Sequence, residues 1–223
     1  DKAFDIVAEE LVQCEQVVIV VGRRAVGCGK AISELAEKLG APVITSLDGK
    51  GIVDEAHPYT QGVLGIFGLP GLESTKQIIQ QASTILAFGV DTLKPFLTDD
   101  DDTQRRNLIQ CEPNFNTITQ EYSRSRTLVG PLQAISDGLA SRLPDQAKAN
   151  PMIADYYAAK QAHMAEVAQW DSVSGDYVHP AYFLTKLNSY LDETSILVLD
   201  TGVNTVWAAR YLQLSHQQPV IVS

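Results

Sequence analysis

The chain has 223 residues, of which 45% are hydrophobic and 20% charged, the proportions of a globular protein with a sizeable core. At about 100–200 residues per domain it holds one large domain or one and a half. Its net charge of −10 argues against a broad basic face for nucleic acid or an anionic membrane, and no run reaches the roughly 18 apolar residues of a membrane span.

The chain opens inside a helical pattern, Phe4, Val7 and Leu11, with Asp1 where an initiator Met would stand and no secretory signal, so its beginning reads as cut. Gln16 to Val21 is a β-branched run, the mark of a strand buried on both faces, and it runs into Gly22. Ile32, Leu35, Ala36 and Leu39 then share one helix face, and Gly40 stops that helix. Pro42 to Thr45 reads as a short strand, Ile78, Ile79 and Ala82 as part of a helix, and Thr84 to Phe88 as a strand ending at Gly89. Asn107 to Cys111 and Thr127 to Val129 are two more strands, and Leu132, Ile135, Leu139 and Leu143 line a helix. Alternating strand and helix predicts a parallel sheet covered on both sides, an α/β Rossmann-like doubly wound fold.

From Pro144 to Pro151 the composition turns polar and reads as a linker, followed by a helix over Met152 to Gln169. A second unit then begins. His179-Pro180 precedes a helix with Leu184, Leu187 and Leu191 inward; Ser195 to Leu199 is a strand, Val206 to Leu212 a helix, and Pro219 to Val222 a strand. The expected division is 1–143, a linker with a helix over 144–176, and an incomplete second α/β unit over 177–223, because a lone β-α-β piece cannot bury its own apolar faces.

Ligands of open α/β sheets lie beyond the carboxyl ends of the strands, where four glycine clusters fall. The first, Gly22 to Gly29, has neither a Walker A nor a G-x-G-x-x-G pattern. Its glycines Gly22, Gly27 and Gly29 suit either a phosphate at a helix N-terminus, with Arg23 and Arg24 adding charge, or a tight turn with solvated arginines. Asp48-Gly49-Lys50-Gly51 reads as a flexible turn. Gly62 to Gly68, with Leu64, Gly65, Ile66 and Phe67, passes beside a flat ring or packs as a loop. Gly89-Val90-Asp91 ends a central strand. In the second unit Asp200 ends a strand, Thr201-Gly202-Val203 turn sharply, and Asn204 or Thr205 caps the next helix, with or without a diphosphate above its N–H groups.

Other candidates are weak. Cys14, Cys28 and Cys111 have no metal spacing and cannot all pair, which fits a reducing cytoplasmic compartment. The run Asp99-Asp100-Asp101-Asp102 reads as a solvated loop and not a metal site. His57 and His179 precede prolines and read as turn or cap residues; His163 lies in the linker helix and His216 in a polar loop. No triad or paired carboxylates mark a catalytic residue.

Ala41 to Thr45 followed by Gly49-Lys50-Gly51, His57-Pro58-Tyr59 and Gly62-Val63-Leu64-Gly65 resembles the central domain of thiamine-diphosphate-dependent enzymes of the acetolactate synthase and pyruvate oxidase (quinone-dependent pyruvate dehydrogenase) group. His179-Pro180, Asp200-Thr201-Gly202 and Thr205 to Leu212 resemble the first βα unit of that family's C-terminal domain. The resemblance implies a fragment of a three-domain enzyme that decarboxylates a 2-oxo acid, pyruvate, with thiamine as electron sink. It implies thiamine diphosphate at Asp200, Thr201, Gly202, Val203 and Asn204, magnesium held by a motif outside this chain, an inactive fragment, and a homodimeric or homotetrameric parent. In flavin-containing members it also implies FAD across Gly22, Gly27, Gly29, Leu64 to Phe67 and Gly89 to Asp91. Against FAD stand Asp91-Thr92-Leu93-Lys94 without an arginine, Gln110 in an acidic position, and Pro131 after Gly130. A stand-alone FAD, ADP or NAD module and a purely structural scaffold are the alternatives.

Overall fold

A computed structural model describes residues 2–64, 73–93, 106–119, 125–145, 148–170, 177–214, 218 and 220–222. Six strands form one parallel sheet: β1 (Val17–Val21), β2 (Val43–Thr45), β3 (Thr60–Val63), β4 (Thr84–Phe88), β5 (Asn107–Glu112) and β6 (Ser125–Val129). Their order is β3-β2-β1-β4-β5-β6. The chain therefore winds outward one way from β1, then returns to β4 and winds the other way. The point of reversal lies between β1 and β4, where Val17 pairs with Thr84 and Val21 with Phe88.

Alternation along β1 shows why both faces are apolar. Val17, Ile19 and Val21 enter one core with Leu86, Phe88, Ile109 and Cys111. The helices α1 (Lys2–Gln13), α2 (Gly29–Leu39) and α4 (Leu132–Ala140) cover that side through Leu11, Leu35 and Ile135. Val18 and Val20 enter a second core with Ile44, Ile85 and Leu108, closed by Ile78, Ile79 and Ala82 of α3 (Glu73–Gln81) and the residue after it. Residues that point both ways from one strand must all be apolar, which is the run the sequence displays.

Helix α2 ends where Gly40 takes the left-handed conformation, φ 61°. The Ala41 N–H reaches back to the Ala36 carbonyl at 2.9 Å, closing the helix end in a Schellman-type turn. The polar segment after α4 is tied to this end: the Lys148 N–H donates to the Lys38 carbonyl at 3.0 Å, and Asn150 Nδ2 to the Gly40 carbonyl at 2.7 Å. A Cβ on Gly40 would drive into the Lys148 carbonyl. Gly40→Ala is therefore expected to cost about 1–3 kcal/mol of stability, read from the urea midpoint, with an unchanged midpoint refuting the packing of 148–150 on α2.

Beyond α5 (Met152–Ala168) lies the second unit: α6 (Pro180–Leu187), β7 (Leu197–Leu199), α7 (Val203–Tyr211) and β8 (Val220–Val222). Strands β7 and β8 pair in parallel as a separate two-stranded sheet. Leu199, Ala208, Leu212 and Leu214 form its small core with Leu184, Leu187 and Leu191. His179 caps α6, its Nδ1 accepting from the Ala181 N–H at 3.3 Å, and Pro180 begins the helix. The His179 ring lies edge-on to both Trp170 and Trp207, and Trp207 stacks on Tyr211. Ile196, Val198 and Ile221 are left exposed around this small sheet.

Strand β3 departs from the sequence reading, which placed only a glycine-rich loop there. It pairs with β2 through Val43 to Thr60 and Thr45 to Val63, with a register shift between Val43 and Ile44. Several elements start or stop a few residues from expectation: α7 begins at Val203 and not Val206, and α6 gives way at Asn188 to a short 3-10 turn. Among the described residues no helix is long and apolar enough to cross a membrane.

Candidate functional site

The glycine clusters after β1, β2 and β4 converge at the reversal point, and the chain itself fills it. Gly22 donates its N–H to the Phe88 carbonyl at 2.9 Å, and Arg24 donates its N–H to the Gly89 carbonyl at 3.2 Å. A Cβ on Gly22 would collide with that same Gly89 carbonyl, and one on Gly89, at φ 60°, with the backbone of Arg24 and Ala25. These two positions need glycine because two strand ends touch. Gly49 is similar, its missing Cβ leaving room for the Val21 carbonyl.

Arg24, taken from sequence as solvated or phosphate-facing, is drawn into the protein, while Arg23 stays exposed but ion-paired. The Arg24 guanidinium grips Glu112 in a bidentate pair, Nε to Oε2 at 2.9 Å and Nη2 to Oε1 at 3.0 Å. Its Nη2 also donates to the Val90 carbonyl at 2.7 Å, and Nη1 pairs with Asp91. Arg23 Nε pairs with Asp91 at 2.6 Å and lies 3.7 Å from Asp48. Three carboxylates against two guanidinium groups leave the crevice net negative. Leu64 and Val90 are buried in the second core, packed with Ile78 and Leu93. Gly27, at φ 82°, stands open, and Gly29 is the buried first residue of α2. Gly65, Ile66 and Phe67 lie outside the described residues, as do Asp99 to Asp102 and His216. The residues present at the reversal point do not fit a dinucleotide diphosphate.

The loop Asp200 to Asn204 has a different character. Gly202 takes the N-cap position of α7 and no side chain caps the helix. Asn204 and Thr205, expected as caps, turn back: Asn204 Nδ2 donates to the Asp200 carbonyl at 3.2 Å and Thr205 Oγ1 to the same carbonyl at 2.6 Å. Asp200 Oδ1 accepts from the Thr201 N–H at 2.7 Å. The five residues 200–204 are exposed, with Val203 at 71%. A helix start whose N–H groups lack a side-chain cap, held in shape by bonds behind it and open to solvent, fits an anion such as a diphosphate. Among the described residues no group of three or more His, Cys, Asp or Glu could hold a metal ion.

Sequence reasoning missed a third cluster, buried where α5, β3 and the end of α7 meet. Lys50 Nζ reaches both Glu55 oxygens, at 2.7 and 2.8 Å. Glu55 Oε2 accepts from the Leu214 N–H at 2.8 Å, while the Glu55 N–H donates to the Leu214 carbonyl at 3.0 Å. Lys160 Nζ donates to the carbonyls of Glu55 and Thr60. Lys50, Glu55 and Lys160 are 2–5% exposed. The segment 48–51 is thus a fixed turn, not a flexible one. Burial pushes the Lys160 ammonium down to about 8, with repulsion from Lys50 adding to it and the Glu55 and Asp54 carboxylates opposing. The adjoining cavity, lined by Lys50, Lys160 and Arg210, measures about 20 Å³, room for one water and no substrate. This cluster is a joint between units. Two of the three thiols make poor nucleophiles, since burial pushes both Cys28 and Cys111 up.

An open parallel sheet with one reversal point, two covered faces and glycine turns at its strand ends defines a doubly wound, Rossmann-like α/β protein. Its family is narrower than that class. The chain belongs to the thiamine pyrophosphate enzymes, residues 4–139 matching the family's central domain. It is similar to the acetolactate synthase isozyme 1 large subunit of Escherichia coli K12, 23% identical over 211 residues that cover 92% of this chain and 35% of that protein. It is 25% identical over 232 residues to the acetolactate synthase large subunit of Buchnera aphidicola, covering 98% of this chain and 37% of that one. It is 27% identical over 152 residues to AruI of Pseudomonas aeruginosa, named as a 2-ketoarginine decarboxylase, covering 66% and 25%. The chain spans about a quarter to 37% of the length of these relatives.

Proposed function

We propose that this chain is the central domain, with the start of the cofactor-binding domain, of an oligomeric enzyme that uses thiamine diphosphate and magnesium to decarboxylate a 2-oxo acid, with pyruvate as the substrate and acetolactate synthase chemistry as the nearest type. The observation that carries the reading is the side-chain-free start of α7 at the end of β7, presenting Gly202, Val203 and Asn204 to solvent. Bound there, thiamine diphosphate supplies the electron sink for loss of carbon dioxide. This chain's part is to bind and orient. Asp200 and Thr205 hold the loop, and the N–H groups of the first turn of α7 face the diphosphate. The division into 1–143, 144–176 and 177–223 belongs to the same proposal. So does the absence of turnover from this chain alone.

A Cβ on Gly202 would push against Asn204 Oδ1 and spoil the approach to the helix start. Gly202→Ala in the full-length enzyme is expected to weaken thiamine diphosphate binding at least about tenfold, the worth of one lost bond to a charged group. Isothermal titration with thiamine diphosphate and magnesium reads this, with carbon dioxide release from pyruvate as the activity. An unchanged affinity would show that the diphosphate lies elsewhere, and no release from any 2-oxo acid by the unaltered enzyme would remove the reaction.

A further inference from the structure

We infer that the reversal point between β1 and β4 is closed by a guanidinium–carboxylate clasp that takes the place of a dinucleotide, so that this chain's central sheet binds neither FAD nor another adenine dinucleotide. The inference stands apart from the thiamine diphosphate loop, which lies on the other unit.

Three observations carry it. The first concerns donors. A diphosphate seated at a strand–helix junction is held by free backbone N–H groups of the turn. Here the N–H of Gly22 is bonded to Phe88, that of Arg24 to Gly89, that of Ala25 to Gly22, that of Val26 to Arg23 and that of Cys28 to Ala25. The turn spends these amides on itself and on β4, and amides without such bonds remain in the first turn of α2, which has no side-chain cap, beyond the point where the two strand ends meet. The second concerns space. Strand ends β1 and β4 approach until even a methyl group on Gly22 or Gly89 would strike backbone. The crevice beyond the strand ends is thus filled by the two turns themselves, which touch at Gly22 and Gly89. The third concerns charge. Among the described residues, Arg24 is the cation sited to meet a phosphate from within the crevice, and it is committed to Glu112, Asp91 and the Val90 carbonyl, as Arg23 is to Asp91. Glu112 is 1% exposed, so drawing Arg24 away toward a phosphate would leave a buried carboxylate without its counter-ion. A dianionic diphosphate would meet Asp48, Asp91 and Glu112, and among the described residues of the crevice both arginines are already paired. The clasp also has a positive role: it ties the ends of β1, β4 and β5 together at the place where a bound nucleotide would otherwise bridge them.

The test uses the full-length protein, purified after expression with riboflavin supplied, and then titrated calorimetrically with FAD and with ADP as the probe of the adenosine diphosphate half. The expected result is no flavin absorbance and no saturable heat with either. Arg24→Ala, Glu112→Ala and the double variant then form a thermodynamic cycle, expected to show a favourable coupling of at least about tenfold in the unfolding constant. Should Arg24→Ala fail to fold, Arg24→Lys with Asp91→Asn reads the same interaction in milder form through a lowered melting temperature. Stoichiometric FAD or ADP binding by the unaltered protein overturns the inference outright. Additive single variants overturn it too, since a clasp without coupling holds nothing shut. Neither outcome bears on thiamine diphosphate affinity, so the cofactor-loop reading stands or falls separately.

Discussion

Glu55→Gln is expected to destabilise the fold by about 3–5 kcal/mol, the range for stripping one partner from a buried ion pair. Glu55 is the buried carboxylate at a junction of two buried ammonium groups: Lys50 bonds its carboxylate and Lys160 its backbone carbonyl. It also receives the Leu214 N–H on a carboxylate oxygen. An amide in its place turns a donor toward either Lys50 or Leu214 and removes the charge bonded to Lys50 and nearest to Lys160. Urea unfolding gives the loss. The companion variant Lys50→Met with Glu55→Leu should recover a good part of it, because an apolar pair of similar volume carries no desolvation cost. A loss below about 1 kcal/mol for the single variant is the figure for a solvated pair and would sink the buried-joint reading.

The second large effect is one of pH. Lys160 has its folded value near 8 against 10.5 for a free lysine. Between those two values the unfolded chain keeps a proton that the folded chain has released. Unfolding then takes up a proton, so stability rises with pH across this window and is flat with respect to this group below 8 and above 10.5. The integrated gain is about 3 kcal/mol. Burial also raises Tyr59 and Tyr156, whose ionisation favours the unfolded chain at still higher pH. The clean readout is therefore the difference between the unaltered chain and Lys160→Met, measured by urea midpoints from pH 7 to 11. That difference should grow in favour of the unaltered chain from pH 8 upward. A flat difference would mean that Lys160 is hydrated in the folded state.

How much of this was legible beforehand depended on the kind of signal. The runs at Val17–Val21 and Thr84–Phe88 announced buried parallel strands because burial on both faces leaves no choice of residue. Strand β3, Thr-Gln-Gly-Val, gave no such sign. It lies at the sheet's edge, carries one apolar residue in four, and owes its existence to β2 beside it and to Leu47, Val206 and Ala209 packed around Val63. The glycines at 22 and 89 were visible but ambiguous. A phosphate cradle and a strand-to-strand contact both demand a missing Cβ, and only the partner atoms tell them apart. The joint of Lys50, Glu55 and Lys160 was invisible, since charged residues in polar stretches read as solvated and the two lysines' shared partner lies 105 positions from Lys160. The family resemblance was carried by the second unit's loop and by the turns after β2.

The pairing of Glu55 with Leu214 sets a mechanical condition on the proposed cofactor loop. Helix α7 has 9 residues, so it is about 14 Å long, with Leu214 just past its far end fastened to Glu55 between β2 and β3, and its near end carrying Gly202 to Asn204. It works as a short lever on a fixed pivot. A tilt of about 10° at the pivot would carry the loop roughly 2 Å, more than a hydrogen-bonding site tolerates. The alignment tolerance of the cofactor end is thus written into a joint that touches no cofactor, so that substitutions there should loosen binding at a distance as well as destabilise the fold.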